Sequence, residues 1–235
     1  MTHRILIPFE LPDARPVSRL LIDSLAPMEI VLLGHYGLPE QTPPEAAREE
    51  FEDEAQQELD GLAADFTEAG IDVTTRLVFG KDRGKAIDAV ADEEGCDAEL
   101  RPAPTGSIDR VLVPLLDTEN LDQLADFVRV LIGESGTEVT LFHVVGEAEE
   151  TAESEEMLAA ARDEMIAKGF DAEAVDVAVV EADNRSEAIL AQAEAYDAVV
   201  IDETHPTVVE RIVGELPEMI AQRAVAPVIV VRQRD

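Results

Sequence analysis

Three basic side chains crowd one short run, Gly80-Lys81-Asp82-Arg83-Gly84-Lys85-Ala86, in a chain that is otherwise strongly acidic. Cations beside glycines, just ahead of a helix, are the ingredients of an anion site, because backbone N–H groups can approach the ligand and the helix start adds partial positive charge. The run approaches the phosphate-loop pattern G-x-x-x-x-G-K-[ST] and fails it twice. Only three residues separate the glycines, and Ala86 stands where a magnesium-binding hydroxyl is required. Lys81, Arg83 and Lys85 are therefore an anion-site candidate without a nucleotide motif. Compensating the surrounding acids is their simpler role.

The remaining reactive side chains do not assemble a catalytic group. His3, His35, His143 and His205 are scattered, and no Gly-x-Ser-x-Gly elbow, H-E-x-x-H or Cys-His metal spacing occurs. The expectation is no catalysis and no metal. Cys96 is alone, which excludes an intramolecular disulfide and fits a reducing compartment; following Gly95 ahead of a strand, it reads as a small buried apolar residue.

Composition narrows the partners. Against 18 basic residues stand 52 acidic ones, a net charge of −34, and only Lys81, Lys85 and Lys168 are lysines. Such a field disfavours nucleic acid and anionic membranes. It suits a salt-rich medium that screens self-repulsion to roughly 3 Å at 1 M, so the surface reads as that of a halophile's cytosolic protein, an acidic partner-binding surface being the alternative. An apolar fraction of 46% supports real cores. No window approaches the ~18 apolar residues of a membrane span, and the first residues carry no secretory pattern, so a cytoplasmic protein is expected.

The elements that must position these groups repeat at a period of about 106 residues. Arg4-Ile5-Leu6-Ile7-Pro8 returns as Arg110-Val111-Leu112-Val113-Pro114, each a strand stopped by proline. The strand from Glu29 to Leu33 returns from Glu138 to Val145, third strands lie near 73–78 and 175–180, and Asp97-Ala98 is matched by Asp197-Ala198. Between them, Phe51, Ala55, Leu59, Leu62, Phe66 and Ala69 form one apolar helical stripe, Met157, Leu158, Ala161, Met165 and Ile166 a second, and Leu121, Leu124, Val128, Leu131 and Ile132 a third. Strands alternating with such helices predict βαβ units and parallel sheets. The fold class is α/β: two tandem doubly wound parallel-sheet domains, 1–102 and 107–235, joined by Pro102–Gly106. After Asp97 the first half has no further helix and strand, so it is truncated after its fourth strand.

In this order the motifs resemble the universal stress protein (UspA-like) family: an I-L-V-P opening strand, a V-T-L-L-H-V second strand, a G-x-x-x-x-A-I helix start, D-x-V-V-I, and P-V-x-V-V at the end. The second half is similar over about residues 107–235 and the first over 1 to about 101. The resemblance implies a five-stranded parallel sheet in the second half and a trimmed one in the first. It also implies a nucleotide loop. Family members that bind ATP use G-x-x-G, about nine further residues, then G followed by Ser or Thr, the layout of a phosphate cradle. Here the corresponding loop begins Asp202-Glu203-Thr204-His205-Pro206, without either first glycine; Gly214 aligns with the later glycine, and Glu215 takes the hydroxyl position. Two like charges at ~4 Å repel by ~1 kcal/mol in water and ~4 kcal/mol at an effective dielectric of 20. Asp202, His205, Gly214 and Glu215 thus mark a degenerate ATP loop, no cofactor is expected, and retained non-standard ATP or AMP binding is the alternative. Without a ligand, Glu215 is a favourable acid at a helix start with Pro217 in its first turn. Because the resemblance places the closing strand at a dimer seam, Pro227–Val231 is expected to pair with its twin in a homodimer, or else to pack on the first domain. A regulatory protein or a transporter is the kind of partner the resemblance implies.

Overall fold

The computed structural model describes residues 2–39, 41–133, 136–146, 151–203 and 226–232. It divides into two compact units, Met1–Leu100 and Arg101–Asp235. Each is a parallel sheet with helices packed on its strands, the α/β class expected.

In the first unit the elements run β1 (Arg4–Leu11), α1 (Arg19–Ser24), β2 (Glu29–Gly37), α2 (Pro44–Glu68), β3 (Val73–Gly80), α3 (Arg83–Glu94) and β4 (Ala98–Arg101). Strand β1 pairs with β2 and β4, and β2 with β3, all parallel. Alternation splits the side chains between two cores. Leu6, Val31 and Leu33 pack against Ile87, Val90 and Ala91 of α3, together with the buried Cys96. Leu11 and Phe79 pack on the other face with Ala47 and Ala55 of α2. Gly34 permits that second packing, because a Cβ there would meet Leu11 Cδ1 at 2.7 Å.

One expectation is corrected here. Strand β1 does not stop at Pro8 but continues to Leu11. Strand β4 pairs only with Ile5 and Leu6, so from Pro8 onward β1 has β2 alone as a partner and the missing N–H leaves no ladder bond unmade. In the second unit the shorter strand does end at its proline.

The second unit holds β5 (Arg110–Pro114), α4 (Leu121–Ile132), β6 (Glu138–Val145), α5 (Thr151–Ala167), β7 (Val175–Glu181), α6 (Arg185–Ala193), β8 (Ala198–Asp202) and β9 (Val228–Val231). The parallel order is β9-β8-β5-β6-β7. Among the described residues the second unit has five strands and the first four. Strand β9 is held by β8 along Val199–Asp202.

The repeated Asp-Ala pair has a structural role that its repetition alone does not reveal. Asp97 Oδ2 accepts the backbone N–H of Arg4 at 2.8 Å while Asp97 N–H donates to Arg4 O at 2.7 Å. Asp197 Oδ2 accepts from Arg110 N–H at 2.8 Å and from Asp109 N–H at 3.1 Å, and its own N–H donates to Arg110 O at 2.9 Å. Each aspartate pins the start of a unit's first strand to the start of its fourth.

Candidate functional site

In the second unit β5 is flanked by β6 on one side and β8 on the other, so the strand order reverses between β5 and β8. This is the topological switch point, beyond whose strand ends open α/β sheets bind ligands. A recess lies there. Its apolar walls are Leu115, Leu121, Leu124, Ile189 and Ile201, and its polar groups are Asp117, Asn120 and Asp202. An apolar cleft with a few convergent polar groups has the make-up of a small-molecule site.

Local sequence explains the polar groups. The chain leaves β5 through Leu115, whose N–H donates to Phe142 O at 2.8 Å and whose carbonyl accepts from His143 Nδ1 at 2.7 Å. That bond fixes the tautomer of a 5% exposed histidine and makes it a packed strand residue. Asp117 then caps its own turn, accepting from Glu119 N–H at 2.9 Å. Asn120 occupies the N-cap of α4 without capping it; its Nδ2 donates instead to Asp202 Oδ2 at 2.8 Å. The sheet ladder continues past Asp202, with Glu203 N–H donating to Val231 O at 2.9 Å.

Of the loop residues singled out by sequence, Asp202 is brought into this recess. His205, Gly214 and Glu215 lie outside the described residues, as does Pro217. Asn120 and Asp117 were missed; their signal was position, two polar side chains six and three residues after the proline that closes β5.

The basic run belongs to the first unit and does not converge on one point. Asp82 is the N-cap of α3 and accepts from Lys85 N–H at 3.1 Å, and Lys85 Nζ folds back on Asp82 Oδ2 at 3.1 Å. The backbone N–H of Lys85, and then its ammonium, hold the Asp82 carboxyl below its ordinary value. Lys81 is exposed. Arg83 turns away from both and donates from Nη2 to Pro8 O at 3.1 Å. Beneath it lies His35, only 3% exposed, whose imidazole is pushed below 6.5 by burial and then by Arg83, with Glu10 and Asp82 opposing.

The two strand histidines are one residue out of step, and in a strand that reverses the face. His35 shares parity with Leu33 and faces α3. His143 falls on the opposite parity to Phe142 and Val144, which pack with Ile189 of α6. Among the described residues no group of three or more His, Cys, Asp or Glu side chains is placed to hold a metal ion. Nor, among them, is any helix long and apolar enough to cross a membrane.

No protein-family model matches the chain, and no curated protein matches it by sequence. Solved structures do. A universal stress protein from Archaeoglobus fulgidus DSM 4304 superposes with a TM-score of 0.69 at 19% identity, covering 99% of this chain and 97% of that one. A candidate universal stress protein from Pseudomonas aeruginosa UCBPP-PA14 gives 0.53 at 17%, covering 98% and 93%. A functionally unknown protein from Pseudomonas aeruginosa PAO1 gives 0.52 at 14%, covering 97% and 92%. At these identities the likeness is one of fold: the chain has the fold of universal stress proteins.

Proposed function

We propose that this chain is a universal stress protein-like regulatory or interaction module of a salt-adapted cytosol, acting without catalysis, in which the nucleotide loop is degenerate. One observation carries the reading. At the switch point the polar side chain that reaches the recess from β8 is a carboxylate, Asp202, tied to Asn120. A phosphate approaching this strand end meets negative charge, and Glu203 follows directly. The full-length superposition on a universal stress protein supports the family setting.

Protein purified without added nucleotide is expected to release no adenine nucleotide on denaturation, as read by mass spectrometry. Adenine nucleotide at near-equal stoichiometry would favour the second reading, a nucleotide-responsive regulator that binds ATP or AMP in a non-standard way, and turnover of added ATP would favour a weak hydrolase. Salt adaptation and assembly share one experiment. With a net charge of −34, the thermal midpoint should climb as KCl rises from about 0.1 to 2 M, where the Debye length shrinks from about 10 to a few ångströms; a flat or falling midpoint rejects the halophilic reading. In the same molar KCl, light scattering at twice 25.5 kDa supports the homodimer through Pro227–Val231, and 25.5 kDa rejects it.

A further inference from the structure

We propose that the first unit carries a site for a protonated phosphate, either hydrogen phosphate or a phosphomonoester, formed by His35, Arg83 and Glu10 at the carboxyl ends of β1, β2 and β3. This stands independently of the nucleotide loop in the other unit.

Three buried nitrogens of His35 and Arg83 make no hydrogen bond. Both ring nitrogens of His35 are buried and have no hydrogen-bond partner in the protein, and neither has the buried Nε of Arg83. Buried donors are nearly always satisfied, and an orphan costs free energy. Here two sit in one cluster: Arg83 is anchored through Nη2 on Pro8 of β1, two residues before Glu10, which stands beside His35 in the β1–β2 register. The missing group is an acceptor, and one oxyanion can serve both donors.

The backbone beside the cluster is bare of side chains at two positions. Gly37 and Gly80 are paired across β2 and β3 and lie on the same face as His35. A Cβ at Gly80 would meet only His35 Nε2, at 3.6 Å, and one at Gly37 only Glu10 Oε1, at 3.9 Å. The positions where two side chains would stand are thus turned toward the imidazole and the carboxylate. Glycine is used where something must come close to the backbone.

The charges select the ligand. Asp82 is already engaged by Lys85, so Arg83 supplies the local cation, and Glu10 supplies an acceptor that repels a bare dianion. A ligand must therefore accept from His35 and Arg83 and donate to Glu10. A phosphate that keeps one P–OH does both; sulfate, fully ionised at neutral pH, has no proton to give.

Isothermal titration of the intact protein with inorganic phosphate in molar KCl at pH 6, where about half of a phosphomonoester keeps its P–OH, tests this, with sulfate as comparison. Phosphate should bind saturably and sulfate about tenfold or more weakly, and Arg83→Gln should lose about tenfold or more, the worth of one charged hydrogen bond. Gly80→Ala makes only ordinary van der Waals contact with His35, so it should fold and still lose binding, while Glu10→Gln should narrow the preference over sulfate. Ribose 5-phosphate binding more tightly than phosphate identifies a phosphomonoester, and equal affinity the free ion. No saturable phosphate binding, or binding unchanged in both folded Arg83→Gln and Gly80→Ala proteins, overturns the proposal.

Discussion

Replacing Phe142 by alanine should lower the unfolding free energy by about 3–5 kcal/mol, the range for truncating a buried aromatic. Phe142 is 1% exposed and lies on β6 between Pro114 and Ala178 of the neighbouring strands. Its side chain enters the cluster of Leu112, Val144, Ile189, Val199, Ile201, Val228 and Val230, which joins β5, β6, β8 and β9 to α6. Removing the ring leaves a void that main chains fixed by parallel ladders on both sides can close only in part. Phe142→Leu should cost under about 1.5 kcal/mol, since most of the volume stays. Urea unfolding in molar KCl, followed by far-UV circular dichroism, measures both. A Phe142→Ala loss below about 1 kcal/mol would mean that this cluster is not the core of the second unit.

That cluster also shows how far the fold was legible beforehand. Apolar periodicity marks which face of an element is inward, so the stripe Ala55, Leu59, Leu62 and Phe66 is buried as its spacing dictates. So are Leu158, Ala161 and Met165 in α5. Periodicity is blind to a polar residue on the inward face, and Ser154 is buried with them unannounced. It is equally blind to short elements such as α1, six residues long, whose length is below one repeat of the pattern. Proline was over-read at Pro8 because the rule for proline concerns ladder position, and which side of β1 is unpaired depends on where β4 ends. The site divided in the same way. Asp202 could be placed from its strand, since strand ends fix the switch point. His35 could not, because a one-residue offset from His143 looks minor in sequence and moves the side chain to the opposite face of the sheet. Its partner Arg83 comes from a different βα connection, a juxtaposition only the folded β1–β2–β3 ladder creates.

The two aspartate clamps offer a test of the duplication at the level of energetics. Asp97→Ala should cost about 1–3 kcal/mol, because it deprives the Arg4 N–H of its acceptor and leaves the donor beside a buried gap. Asp97 is 2% exposed and lies 3.4 Å from His3 Nδ1 as well, so little water can reach the orphaned donor. Asp197 makes the equivalent bond to Arg110 and a second to Asp109, yet it is only half-buried. Water can replace its carboxylate, and Asp197→Ala should cost less than Asp97→Ala. Asn at either position keeps a carbonyl acceptor for the strand N–H and should recover part of the loss. Amide exchange provides the local readout: the Arg4 N–H should exchange faster in Asp97→Ala, with a smaller change at Arg110 in Asp197→Ala. An Asp197→Ala cost equal to or above that of Asp97→Ala would show that access to water does not set the strength of these clamps.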